Sequence, residues 1–295
     1  MTQSPPALEV LPRDLSAYRK GNVGIDYVHR FESGKPGPHV LINALTHGNE
    51  ICGMTAATHL LDNNVRPKIG TLTVSFANVA AYESFNEALP FDSRQLVHNL
   101  NRIWSPEWLD GSEDSPELSR ARILRPVVDA ADHILDIHST SQVALAIGRP
   151  SVHLVMPDGL GSGTPLIQYG SHGGPDGKGV AMVVECGQHF LRSASELATA
   201  VTYDFLAYFG LVDKDLAAPA PEPQRRFQLL QTHVIRSPDF AFVRPLIGFE
   251  TFAKGELIAT NGDEEIRALC DDCTIFMPAQ RVIVGREAVY LTKPI

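Results

Sequence analysis

Short apolar runs that break off at polar, turn-forming residues, several of them followed by helical periodicity, constrain this chain more than any other feature. Residues 40–42, Val-Leu-Ile, lead into Thr46-His47-Gly48-Asn49, after which Ile51, Met54, Ala57, Leu60 and Leu61 recur at helical spacing. The order predicted is strand, loop, helix. Similar runs at 72–77, 133–137, 152–156 and 180–184 predict further strands, and their near-continuous apolar character fits a sheet covered on both faces. Ser115-Pro116 predicts a helix start, because proline at the first helical position loses no needed N–H, with the helix running to about Ala131. Ser193-x-x-Glu196 reads as a capping box ahead of Leu197, Val201 and Phe205 on one stripe. The fold class expected is α/β, a central sheet flanked by helices.

The composition then shifts. Ala217-Ala218-Pro219-Ala220-Pro221-Glu222-Pro223 is a proline-stiffened, extended linker. After it come short β-type runs at 240–243, 256–259, 282–284 and 289–291, punctuated by Gly and Pro and without a convincing helix. The predicted organisation is a catalytic domain over 1–213, a linker over 214–226 and a small C-terminal β domain over 227–295. A length of 295 residues accommodates that division.

Charge and cysteine usage exclude several classes. The net charge is −9 and the compact basic cluster is Arg225-Arg226, so nucleic acid is not an expected partner. No apolar run approaches the roughly 18 residues of a membrane span, and the N-terminal stretch lacks the charged-then-apolar layout of a signal peptide. No membrane partner and a cytoplasmic location are expected. The four cysteines are too sparse for a disulfide scaffold, and Cys270-x-x-Cys273 has no second pair to complete a structural zinc site. Two thiols in a reducing compartment is the favoured reading.

The residues able to do chemistry stand at the ends of the predicted strands, where open α/β sheets place their ligands. In His47-Gly48-Asn49-Glu50 an imidazole and a carboxylate, three positions apart at the mouth of a helix, can converge on one cation. His138, in Asp136-Ile137-His138-Ser139-Thr140, ends another strand and offers a third ligand. Two His and one Glu make a catalytic zinc set with a fourth position left for water. With eleven histidines in the chain, however, a chance H-x-x-E is unsurprising. Glu185, in Val184-Glu185-Cys186-Gly187, is a carboxylate at the end of a third apolar run, costly there unless paired or used, and suits a general base. Cys186 points to the opposite face and reads as packing. Asn101-Arg102 pairs an amide with a guanidinium fork suited to a carboxylate. Tyr169 to Gly179 contains five glycines and reads as a substrate loop, with an ordinary surface loop as the alternative; it lacks the G-K-[S/T] ending of a phosphate cradle.

Taken in order, H-G-N-E, L-N-R, D-I-H-S-T and V-E-C-G resemble the succinylglutamate desuccinylase and aspartoacylase family, a branch of the zinc carboxypeptidase fold. The resemblance extends through Gln188-His189-Phe190-Leu191-Arg192 and into the β domain at Phe249-Glu250-x-x-x-Lys254-Gly255 and Phe276-Met277-Pro278. It implies a mixed central sheet, one zinc ion per chain on His47, Glu50 and His138, and Glu185 as the general base. Asn101 and Arg102 would hold a substrate carboxylate, and Tyr290 would reach the site from the β domain.

Three positions depart from the family pattern. Asn99 stands where the family usually has an Asp accepting from the first zinc histidine, which should weaken His47 as a ligand. Ala80 occupies the position matched to a carbonyl-polarising arginine, leaving that work to the zinc itself or to another cation, with Arg94, Arg149 and Lys178 as candidates. Pro175 stands where aspartoacylases grip a second carboxylate, so N-acyl derivatives of neutral amino acids are expected to serve at least as well as N-acetylaspartate.

The expected activity is zinc-dependent hydrolysis of the amide bond of an N-acyl amino acid or related small carboxylate. A zinc carboxypeptidase acting on short peptides would use the same residues, and a non-catalytic metal- or ligand-binding relative stays open, as does self-association into a homo-oligomer.

Overall fold

The computed structural model describes residues 8–140, 146–147, 152–156, 159–160, 162–172, 179–216 and 225–295. The glycine-rich stretch 173–178, Arg149, Pro175 and Lys178, and the linker's core 217–224 lie outside the described residues. The central sheet is built from β1 (Val28–Glu32), β2 (His39–Ala44), β3 (Thr71–Phe76), β4 (His133–Thr140), β5 (Ala146–Ile147) and, after β6 (Val152–Val155), β7 (Val180–Gln188). Its order is β1-β3-β2-β4-β7-β5. The four inner strands are parallel, and the edges β1 and β5 run antiparallel to their neighbours. The sheet is therefore mixed.

Alternating side chains explain why this sheet needs helices on both faces. Val40, Ile42 and Ala44 of β2 join one core with α1 (Ile51–Asp62) and, later in the chain, the helix over 192–208, while Leu41 joins a second core. That second core also contains Trp104, Leu118, Leu124 and Val128. Leu41 is 1% exposed, and truncating such a side chain to alanine costs about 2–5 kcal/mol. Two short helices, α2 (Val79–Glu83) and α3 (Pro106–Leu109), precede α4 (Pro116–Asp129). As predicted, α4 starts at Ser115, whose hydroxyl accepts from Leu118 N–H at 3.1 Å.

The capping box expected at Ser193 does not form. Helix α5 (Arg192–Tyr208) begins two residues earlier, with Leu191 at the cap position, which makes no side-chain cap. The Arg192 N–H instead donates to the Glu9 carboxylate at 3.0 Å, so a distant segment takes the capping role.

A second correction concerns the run at 152–156. It joins the C-terminal strands rather than the central sheet, pairing parallel with β8 (Arg225–Val234). His153 and Val155 are exposed while Val152 and Leu154 pack against Phe227, Leu229, Phe276 and Tyr290, so only one face is covered. The remaining strands are β9 (Ala241–Phe242), β10 (Thr251–Phe252), β11 (Leu257–Asn261), β12 (Glu264–Arg267), β13 (Cys273–Phe276) and β14 (Glu287–Pro294). They form a β10-β13-β14-β8-β6 sheet and a β12-β11-β9 sheet. Residues 282–284 form no strand: they turn at Gly285, φ +88°, and stand exposed. The expected linker is structured at its edges, a 3-10 turn over Lys214–Leu216 and the start of β8 at Arg225. Among the described residues, no helix is long and apolar enough to cross a membrane.

Candidate metal centre

The site forms at the C-terminal ends of β2, β4 and β7. β2 leaves the sheet at Ala44, and the turn Thr46-His47-Gly48-Asn49 delivers Glu50 as the residue that precedes α1. A carboxylate at a helix N-terminus is favoured by the helix dipole. Gly48 is required by packing: a Cβ there would lie 2.4 Å from backbone atoms of Ala81, Tyr82 and Ser93. The close approach lets the Gly48 N–H donate to the Arg94 carbonyl at 3.1 Å, which brings the 91–94 segment onto the turn.

His47, Glu50 and His138 converge, buried, with ligand atoms within 4.8 Å of one another. Glu50 Oε1 lies 2.8 Å from His47 Nδ1 and Oε2 lies 2.8 Å from His138 Nδ1. The other nitrogen of each ring faces an acceptor: His47 Nε2 lies 2.9 Å from Asn99 Oδ1, and His138 Nε2 lies 2.8 Å from Asp136 Oδ2. Those acceptors favour protonation at both Nε2 atoms, leaving two Nδ1 lone pairs facing a carboxylate. Such an arrangement needs a cation or protons between the three groups, and the donor set fits a divalent metal ion. Asp136 is itself held by Asn43 Nδ2 at 2.8 Å and the Thr46 hydroxyl at 2.7 Å.

Electrostatics follow from this burial. Burial, with Arg94 nearby, lowers His47 to about 4. Burial alone would raise Glu50, but His47 and His138 outweigh it and hold the carboxyl well below the usual range. Glu185 sits directly opposite His138 in the β4–β7 register. Among the described residues, its Oε2 is buried without a hydrogen-bond partner. Burial raises it to about 8, with His138 opposing and Glu50 reinforcing the shift. Cys186, on the other face, is buried in the core as expected.

Asn101 is buried against His138, its Nδ2 3.5 Å from Nε2, and its Oδ1 accepts from Leu166 N–H at 3.1 Å. Arg102 is more occupied than its sequence context implied. Its Nε and Nη2 donate to Glu287 Oε1 at 2.9 and 2.7 Å, and its Nη1 donates to the Asn101 carbonyl at 2.7 Å. Of five N–H groups, three are engaged at these distances, a fourth makes only a long contact with the Tyr290 hydroxyl, and one is left for another partner. Tyr290 donates to Glu287 Oε2 at 2.8 Å, with its oxygen 3.5 Å from Arg102 Nη2. Glu287, which Ser162 also contacts, is thus the hub that ties β14 to the Arg102 segment. Sequence reasoning gave it no role, although its i, i+3 spacing from Tyr290 was a visible signal.

Of the cations considered in place of Ala80, Arg94 reaches the site, its Nη1 3.3 Å from Glu50 Oε1. Ala80 itself is exposed on α2.

Comparison with known proteins agrees with this architecture. Residues 36–147 match the profile described as the succinylglutamate desuccinylase/aspartoacylase catalytic domain. No curated protein matches by sequence. Among solved structures, the succinylglutamate desuccinylase of Vibrio cholerae aligns with a TM-score of 0.67 at 16% identity, covering 92% of this chain and 86% of that one. An aspartoacylase family protein from Mesorhizobium loti aligns at 0.57 and 18% identity, covering 91% and 88%. The product-bound ectoine utilization protein EutE of Ruegeria pomeroyi aligns at 0.56 and 16% identity, covering 91% and 88%. The segment 36–147 accordingly matches the succinylglutamate desuccinylase/aspartoacylase catalytic domain, and the chain as a whole has the fold of the solved structures that carry that name.

Proposed function

We propose that this chain is a zinc-dependent amidohydrolase that cleaves the amide bond of an N-acyl amino acid or a related small carboxylate. The observation that carries the reading is the facing of two Nδ1 atoms and the Glu50 carboxylate in one site with Glu185, whose buried Oε2 has no hydrogen-bond partner among the described residues. His47, Glu50 and His138 would hold one zinc ion per chain, since imidazole nitrogen and carboxylate oxygen are its catalytic ligands. Bound zinc would supply Lewis acidity, acidifying a water and polarising the scissile carbonyl.

The protein's own groups do the rest. Glu185 takes the proton of the attacking water and returns it to the leaving amine, a role suited to a carboxylate whose burial keeps its proton affinity high. Arg94 stabilises negative charge developing on the carbonyl oxygen, in the place of the arginine absent at Ala80. Arg102 presents to the substrate carboxylate the N–H edge that Glu287 and the Asn101 carbonyl leave open, with Asn101 and Tyr290 beside it. The division into a catalytic part (1–213), a linker (214–226) and a β part (227–295) belongs to this reading, with β6 crossing from the first part into the sheet of the last.

The test is a panel of N-acyl amino acids and dipeptides given to zinc-loaded protein, alongside elemental analysis. Turnover of the acyl compounds, with zinc lost in a His47→Ala, His138→Ala double variant, is expected. A preference for dipeptides would make the chain a carboxypeptidase, and full zinc in the double variant would remove these ligands.

A further inference from the structure

A carboxylate outside the ligand set holds the segment on which one of the ligands depends. Glu117 stands in the first turn of α4, where a surface carboxylate would gain from the helix dipole, yet it is 0% exposed. Its Oε1 accepts from Leu96 N–H at 2.7 Å and from Asn78 Nδ2 at 3.3 Å, and its Oε2 accepts from the N–H groups of Val97 and His98, each at 3.2 Å. All four partners are donors. A carboxylate can accept at both oxygens, whereas an amide of the same shape would turn an NH2 group towards two of those donors.

The segment held in this way has few other anchors. Residues 95–99 lie between two 3-10 turns, Asp92–Arg94 and Leu100–Arg102, and belong to neither helix nor strand. Leu96 and Val97 are 44% and 58% exposed, so burial of their side chains contributes little. His98 adds a side-chain hold, its ring 5.2 Å from that of Trp108. The next residue is Asn99, whose Oδ1 accepts from Asn101 N–H at 2.9 Å and lies 2.9 Å from His47 Nε2. Three successive N–H groups bound to one carboxylate therefore fix the backbone immediately before the acceptor that orients a metal-binding ring. Asn78 extends the hold: its Oδ1 accepts from Ala81 N–H at 3.3 Å, and the backbone of Ala81 and Tyr82 is what closes on Gly48. Glu117 thus ties together two stretches that flank the metal-binding turn.

We propose that Glu117 is a positioning residue: it fixes Asn99 against His47 and so sets how tightly the centre holds its metal. This rests on the metal ligands of the amidohydrolase reading. The hydrogen-bond partner of a ligating histidine orients the ring and raises its basicity, so a partner that drifts weakens the ligand without touching the metal.

Zinc affinity, read by competition with a chromophoric chelator, tests this in Glu117→Gln, Asn99→Ala and the two combined. Each single variant should bind zinc about tenfold weaker or more, and the combination no weaker than Asn99→Ala, because Glu117 acts through Asn99. Leu124→Ala truncates a buried core residue of the same helix and should lower the unfolding midpoint while leaving zinc affinity unchanged. Glu117→Asp, which keeps both acceptor oxygens on a shorter stem, should lose less than the glutamine variant and takes its place in the cycle if that variant does not fold. In metal-free protein the amides of residues 96–98 should exchange slowly with solvent and speed up when Glu117 is replaced. Unchanged zinc affinity on replacing Glu117, single effects that multiply, an equal loss in Leu124→Ala, or fast exchange at 96–98 in the unaltered protein each overturns the role. Hydrolysis of acyl compounds with a zinc affinity indifferent to Glu117 overturns it too and leaves the amidohydrolase reading in place. A zinc affinity that follows Glu117 through Asn99 in a protein that hydrolyses no acyl compound upholds the role and fails that reading.

Discussion

Replacing Glu185 with glutamine separates its three conceivable roles, because the amide keeps the shape of the carboxylate and loses its basicity. As general base, Glu185 should contribute about 10²–10⁴-fold to turnover, or roughly 3–5 kcal/mol of barrier. Zinc content should stay unchanged in Glu185→Gln, because the ligand set is His47, Glu50 and His138. The metal-free protein provides an independent magnitude. The carboxyl rises from 4.5 to about 8 on folding, chiefly by burial. Between those values the folded chain holds a proton that the unfolded chain has released, so the unfolded state binds fewer protons and stability falls as pH rises, by about 1.4 kcal/mol per pH unit. Glutamine does not titrate. Urea unfolding in the presence of a chelator should therefore show Glu185→Gln gaining on the unaltered protein between about pH 5 and about pH 8. A stability gap that does not change with pH would refute the desolvated placement of Glu185. Loss of zinc would make it a ligand, and normal turnover would remove it from the mechanism.

Two further outcomes are expected. Asn99→Asp replaces a neutral acceptor 2.9 Å from His47 Nε2 with a charged one and should tighten zinc binding by roughly 10-fold or more, as read by competition with a chromophoric chelator; unchanged or weaker binding would show that the bond does not tune His47. Arg102→Lys keeps the charge but loses both the fork and the two bonds to Glu287, so kcat/KM should fall about tenfold or more, and a value equal to that of the unaltered protein would mean that the substrate carboxylate lies elsewhere.

Much of the fold was legible because burial on two faces leaves a mark in composition. The runs at 40–42 and 180–184 are apolar throughout, those at 72–77 and 133–137 each carry two polar residues among apolar ones, and all four became inner strands. Residues 152–156 looked alike, but His153 signals a strand with one wet face, and its true partner, β8, lies beyond the linker. Strand β12 was invisible for a related reason: Glu264-Glu265-Ile266-Arg267 buries Ile266 alone and carries charge on its exposed positions. The valine-rich run at 282–284 misled in the opposite direction. Its apolar side chains stand exposed on a turn, where β propensity without a neighbouring strand produces no ladder.

The candidate site was legible where chemistry and local backbone coincide. His47 and Glu50 flank a glycine that packing demands, so their spacing carried both the ligands and the turn. The register that sets His138 opposite Glu185 could be anticipated only as two strand ends, because pairing between strands is a property of the sheet. Contacts between distant segments left no trace of this kind. Arg102 and Glu287 are 185 residues apart, and nothing in Asn101-Arg102 reveals that three of the guanidinium's five donors are already engaged. That occupancy changes the chemistry expected of Arg102. A guanidinium held along one edge by Glu287 offers a substrate a narrower but better oriented donor edge, because the restraint has already removed rotamer freedom that binding would otherwise have to remove.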